Sequence, residues 1–253
     1  MMNRDYAVDV QRIRQTAIDT CVKIVLEDPK ENLIAGWTLA CPHEANALRS
    51  APFEECVLLL TDAALYFCRF EWSTAKVGAY ERVDLRDVAE VWRGVYITSI
   101  LGPTHTDEGR NVGFAVRYAT KGRAVVRTNT RSLQNEKAVA DENEGKDEVQ
   151  KQKEPEKDES RLLGFKALPA AKSAVKREYA GGSTTEQQQI QHICSELHRA
   201  MTAAVRKSRG IDHLDLDKVP QVEERDVVSL AEARKGTGYI ESLGYGLKRM
   251  IWS

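Results

Sequence analysis

The side chains that could do chemistry are scattered along this chain of 253 residues rather than gathered into a motif. Its five cysteines (Cys21, Cys41, Cys56, Cys68 and Cys194) are odd in number and mostly set among apolar neighbours. That pattern reads as reduced, buried thiols, not as a disulfide framework. His192 and His198 stand six apart, which does not bring two imidazoles onto one helical face, and His43, His105 and His213 are isolated in expected loops. No Cys/His spacing suits zinc, and there is no P-loop or Gly-x-Gly-x-x-Gly, so no metal or cofactor is expected. Asp84, Asp87 and Glu90 are close in sequence, but they fit the wet side of a strand and turn. One charge feature stands out. Arg110, Arg117, Lys121, Arg123, Arg127 and Arg131 follow one another with no acidic residue between Arg110 and Arg131. Such a run can attract an anionic surface; the bland alternative is an ordinary solvated sheet face.

The elements that would carry these residues follow from periodicity. Asp5 can cap a helix that runs to about Leu26, with Val10, Ile13, Ala17, Cys21, Ile24 and Val25 on one stripe and Asp28-Pro29 as its stop. Leu33–Leu39 reads as a strand with Gly36 at its centre, and Cys41–Phe53 as a loop. Val57–Leu60, Leu65–Phe70 and Tyr80–Trp92 then alternate as three antiparallel strands joined by tight turns. Asn111–Tyr118 and Arg123–Thr128 read as a hairpin turned at Lys121-Gly122. Residues 133–160 are dense in Glu, Asp, Lys and Gln, a composition that cannot offset ordering entropy, and are expected to be a disordered insertion. Leu162–Leu168 restores a strand. A long helix follows, capped by Ser183 or Thr184, with Ile190, Ile193, Cys194, Leu197, Ala200, Met201, Ala204 and Val205 on one stripe.

Composition sets the outer limits. Net charge is −1, so bulk charge selects neither nucleic acid nor membrane, and no nucleic-acid partner is expected. No window approaches the ~20 apolar residues of a membrane-spanning helix, and the N-terminus lacks the apolar core of a signal peptide. The expected location is cytoplasmic, in places peripheral on endomembranes. Residues 208–253 form a polar tail with an apolar end, where Tyr245, Met250 and Trp252 could bind a protein partner.

A run of about seven strands and then one amphipathic helix suggests an α+β fold in which the helix closes a bent antiparallel sheet. The run Cys56–Gly94, with its Tyr80-Glu81-Arg82-Val83-Asp84-Leu85-Arg86-Asp87-Val88 centre, resembles the accessory homology (hSac) domain of Sac-type inositol phosphatases. The following ITSILGPTHTDEGRNVGFAVRY and NTRSL resemble the C-terminal region of the fungal members. The resemblance spans Val8 to Val205 apart from the charged insertion. It implies a pleckstrin-homology-like barrel over 1–207, with a catalytic domain placed before it in a complete phosphatase.

Those enzymes use a cysteine nucleophile in C-x5-R, where a thiolate sits beneath a phosphate held by backbone N–H groups and an arginine. No cysteine here has an arginine at that spacing: Arg49 lies too far beyond Cys41, and Arg199 one residue too close to Cys194. No catalytic residue carries over, and the chain is not expected to be an enzyme. The expected function is a non-catalytic module for dimerisation or membrane targeting in phosphoinositide metabolism. Arg117, Lys121, Arg123, Arg127 and Arg131 are the candidates for a lipid headgroup. The alternative is a free-standing adaptor that binds protein partners through its apolar tail.

Overall fold

The structure is a computed structural model that describes residues 2–44, 46–49, 52–120, 126–128, 160–169, 175–176, 185–209 and 219–235. Helix α1 (Met2–Val25) leads into β1 (Leu33–Pro42), and three antiparallel partners follow in a meander: β2 (Phe53–Thr61), β3 (Ala64–Glu71) and β4 (Lys76–Asp84). Both β1 and β2 extend into the stretch expected to be loop. The Tyr80–Trp92 segment is not one strand. Its chain reverses at Asp84–Asp87, where the Asp84 carboxylate accepts from the Arg86 amide at 3.0 Å and the Asp84 carbonyl from the Asp87 amide at 2.9 Å. Beyond that turn β5 (Val88–Val95) leaves β4 and pairs with β6 (Val112–Ala119). A single helical turn, α2 (Pro103–Thr106), lies between them.

The expected hairpin after β6 does not form. The short strand β7 (Val126–Thr128) pairs with β4, and β6 takes β8 (Ser160–Lys166) as its second neighbour. Strand β9 (Val175–Lys176) pairs with β1. Helix α3 (Glu186–Arg209) follows, then β10 (Val222–Glu224), which lies parallel to β5, and a last short helix over residues 230–235. Thr185 caps α3, one or two residues later than expected. Its hydroxyl accepts from the Gln188 amide at 3.2 Å while the Gln188 side chain accepts from the Thr185 amide at 3.0 Å. This reciprocal box fixes the helix start.

The ten strands among the described residues form one mixed sheet in the order β10-β5-β6-β8-β1-β2-β3-β4-β7, with β9 beside β1. The fold class is α+β. The path has two ends, β10 and β7, that do not pair, so the sheet is open where a closed barrel of about seven strands was expected.

Each face has its own cover. On one, the α3 stripe (Ile190, Ile193, Cys194, Leu197, Ala200, Met201, Ala204) packs on Trp37, Leu58, Leu60, Phe114 and Phe165. On the other, α1 seats Ala17, Ile18, Cys21 and Val25 against Val57, Leu59, Tyr66, Cys68 and Phe70. Gly36 lets α1 approach: a Cβ there would stand 2.8 Å from Ile18 Cγ2 and 2.9 Å from Leu59 Cδ2. Farther along that second face, Val227, Val228 and Ala233 cover Trp92, Tyr96 and Ala115 together with Leu48 and Phe53. Three apolar layers therefore bury both sides of one sheet, which is how a sheet this long avoids a bare face.

Candidate functional site

The basic run is read first from Arg117, the member whose side chain the structure describes within a strand. It stands on β6 directly opposite Glu90 on β5, and its Nε donates to Glu90 Oε2 at 3.2 Å. Such a cross-strand pair of opposite charge is a local stabiliser of an antiparallel ladder. The Arg117 guanidinium also lies 5.9 Å from the centre of the Trp92 ring. A second guanidinium, from Arg225 just after β10, covers the same indole at 4.4 Å and reaches Glu90 Oε2 at 3.8 Å and Glu223 Oε2 at 3.8 Å.

Two cations thus share one buried indole and one carboxylate. Trp92 itself is 4% exposed, while the side chains of Arg117 and Arg225 are about half exposed. The indole face draws both guanidinium groups through its quadrupole, and Glu90 offsets one of the two charges. The arrangement can present positive charge to an anion, but only in competition with Glu90. Arg225 is the member that sequence reasoning missed, because it belongs to a polar stretch far along the chain and reaches Trp92 only through the parallel β5–β10 pairing.

Two further members of the run, Arg110 and Arg127, lie among the described residues. Arg110 is held by Asp107, Nε to Oδ2 at 3.6 Å. Arg127 lies in β7 opposite Tyr80, so its backbone is placed on the far side of the sheet from β5. Lys121, Arg123 and Arg131 lie outside the described residues, as do Tyr245, Met250 and Trp252 of the tail.

The potential nucleophiles are poorly placed for chemistry. All five cysteines are buried. Burial pushes the Cys194 thiol up to about 12, and burial together with a hydrogen bond to Cys41 raises Cys56 well above the ordinary thiol range. A buried thiol with a raised pKa carries little thiolate and is a weak nucleophile. Lys166 differs: burial pulls its ammonium down to about 8, and its Nζ donates to Thr98 Oγ1 at 2.9 Å. Among the described residues no group of three or more His, Cys, Asp or Glu side chains is arranged to hold a metal ion. Among the same residues no helix is long and apolar enough to cross a membrane.

Hollows among the described residues include three of note. One of about 560 Å³ lies between the first turns of α3 and the β5–β10 edge, lined by Arg93, Glu108, Gln187, Gln191, Glu224 and Asp226. One of about 630 Å³ lies beside Arg69, Trp72 and Ala79. The smallest, about 140 Å³, is walled by Phe67, Arg69, Glu81, Arg161, Leu163 and Phe165. The first of them shares Arg225 with the Arg117–Trp92–Arg225 stack.

The elements α1 through β6 coincide with a known family segment. Residues 5–119 match the hSac2 family model, described as inositol phosphatase. The resemblance of Cys56–Gly94 to the hSac domain therefore holds, and the hSac2 match begins within α1 and ends with β6, short of NTRSL and of the span to Val205. No curated protein matches the sequence. Among solved structures, the hSac2 domain from human phosphoinositide phosphatase Sac2 is similar at 12% identity and a TM-score of 0.41, over 87% of this chain and 91% of that one.

Proposed function

We propose that this chain is a non-catalytic accessory module in phosphoinositide metabolism, of the kind attached to Sac-type phosphatases, and that it acts in membrane targeting or dimerisation. The observation that carries this reading is the hSac2 match over 5–119. The lack of an arginine at the C-x5-R spacing from any cysteine supports a role other than phosphate transfer. In this reading residues 1–207 are the pleckstrin-homology-like module, 133–160 its charged insertion and 208–253 a tail. The module works from the cytoplasm, peripheral on endomembranes, in a fungal-type protein.

The headgroup surface in this proposal is the basic run of Arg117, Lys121, Arg123, Arg127 and Arg131, extended by Arg225. Each basic residue near an anionic leaflet contributes about 1 kcal/mol, or about fivefold in affinity. The test is cosedimentation of the full chain with vesicles of phosphatidylcholine alone, with added phosphatidylserine, and with added phosphoinositide. Binding that requires phosphoinositide, and that falls about fivefold for Arg117→Ala and again for Arg123→Ala, is the expected result. Equal retention on neutral vesicles, or no effect of either substitution, overturns the lipid role. Sedimentation velocity on the same preparation reads the dimer separately.

A further inference from the structure

Among the described residues, the open flank of the sheet is crossed by side chains where no backbone pairing crosses it. Glu81 on β4 is 5% exposed, yet it carries a carboxylate. Its Oε1 accepts from Arg161 Nη1 of β8 at 2.8 Å and from the phenol of Tyr118 on β6, which is 3% exposed. Tyr118 and Arg161 face each other in the β6–β8 register, so the two donors reach Glu81 from one pair of neighbouring strands. Strand β4 pairs only with β3 and β7. The contact therefore joins the β1–β4 meander to the β5–β6–β8 arm across the gap in the hydrogen-bonded path.

Nearby, Phe67 of β3 meets Phe165 of β8 edge-on, with ring centres 5.6 Å apart. Between these two bridges lies the hollow of about 140 Å³, walled on one side by Phe67, Arg69 and Glu81 and on the other by Arg161, Leu163 and Phe165. A buried ion pair is a costly way to gain stability, since its desolvation offsets most of its attraction, but losing one partner leaves a charge unpaired in the interior. Such a pair suits a contact that must be either fully made or released. The apolar alternative, more side chains like Phe67 and Phe165, would hold the flank shut without that property.

We propose that Glu81, Tyr118 and Arg161 form a latch that closes the open flank of the sheet over this hollow, and that the flank opens as a local unit when the latch is broken. Opening separates β4 from β8, loosens the β4–β7 and β6–β8 ladders beside the latch and widens the hollow, while α3 and the β1–β2 pair stay in place. The latch is a conformational device of the fold and does not depend on the lipid reading.

Hydrogen exchange followed by mass spectrometry on the full chain tests it. The amides of Tyr80–Val83 and Leu162–Phe165 report the flank, and those of Val57–Leu60 in the same spectra report the rest of the sheet. With Glu81→Gln, flank amides are expected to exchange about tenfold faster, a 1.4 kcal/mol lowering of the local opening cost, relative to the Val57–Leu60 set. Tyr118→Phe, which removes one hydroxyl and keeps the ring, is expected to act in the same direction by a smaller factor. It also serves if Glu81→Gln does not fold. Equal acceleration of both sets, or no change in the flank, overturns the proposal and leaves the trio as static packing.

Discussion

Arg14 of α1 grips Glu55 at the head of β2 with two guanidinium nitrogens: Nε donates to Oε2 at 3.0 Å, and Nη2 to Oε1. The two partners are not equally buried. The Arg14 side chain is 7% exposed and that of Glu55 35%. Removing the better-solvated partner therefore takes the neutralising carboxylate away from the worse-solvated charge.

It follows that Glu55→Gln destabilises the protein more than Arg14→Met. The first removes the charge that neutralises a buried guanidinium, at a cost of about 3 kcal/mol, while the second leaves a carboxylate that water can reach, at about 1–2 kcal/mol. Urea unfolding midpoints of the two variants check the order. The reverse order would mean that the contact of the Arg14 guanidinium with the Trp72 ring, 6.0 Å from its centre, matters more than its pairing with Glu55.

Gly36→Ala should loosen α1 from the sheet. The added methyl meets Ile18 and Leu59 at 2.8 and 2.9 Å, and both of those side chains are fully buried. Overpacking of this kind costs about 1–3 kcal/mol. Thermal unfolding reads the loss, and limited proteolysis within α1 locates it.

Alkaline pH should destabilise the fold through its buried phenols. Burial pushes the Tyr66 phenol up to about 12, with the hydroxyl donating to Glu31 Oε2 at 3.0 Å and accepting from Arg82 Nε at 3.1 Å. Tyr96 and Tyr118 are also raised, in each case chiefly by burial. A phenol raised in the folded state contributes stability that is complete below the unfolded value of about 10 and is lost as pH climbs through the folded value. Absorbance titration of the eight tyrosines should show a fraction that ionises only as the chain unfolds. Tyr66→Phe should reduce that fraction.

Acid should act through Asp62. The Asn32 amide donating to Oδ1 at 3.0 Å holds this carboxyl below the usual range, helped by Asn32 Nδ2 at 3.2 Å and Lys207 at 3.8 Å. A depressed carboxyl contributes stability above its unfolded value of about 3.9 and loses it as pH falls further. Asp62→Asn should therefore shrink the loss of stability between pH 5 and pH 3, in melts run across about that range. An unchanged acid limb would assign the loss to other carboxylates.

Much of this architecture can be read from single residues. The α3 stripe from Ile190 to Ala204 is continuous at helical spacing, and each of those residues packs as that spacing requires. The β2 and β3 strands were equally plain, since Val57–Leu60 and Leu65–Phe70 are dense in strand-forming side chains. The division between β4 and β5 was not legible because Val83, Leu85, Val88 and Val91 continue an apolar alternation straight through the Asp84–Asp87 turn. Periodicity marks which face is buried, not where a chain reverses. For the same reason β7 was assigned to β6, its neighbour in sequence, when its partner is β4.

At the site, Arg117 was legible as a basic strand residue, but its pairing with Glu90 depends on the β5–β6 register, which includes a shift between Val88 and Glu90. Glu81 gave no signal at all. It looked like the wet member of an alternating strand, and only the approach of Tyr118 and Arg161 from another part of the sheet makes it an interior residue.

The parallel β5–β10 pairing has a kinetic consequence. Arg93 and Glu224, paired across it, are 131 positions apart, whereas the β1–β2, β2–β3 and β3–β4 pairs join strands adjacent in sequence. Contacts distant in sequence must wait for chain closure, and a topology rich in them folds slowly. The meander and α1 are expected to assemble first, and the arm carrying Trp92 to be completed last by the strand that brings Arg225. The two-guanidinium stack would then be among the final features to appear as the protein folds.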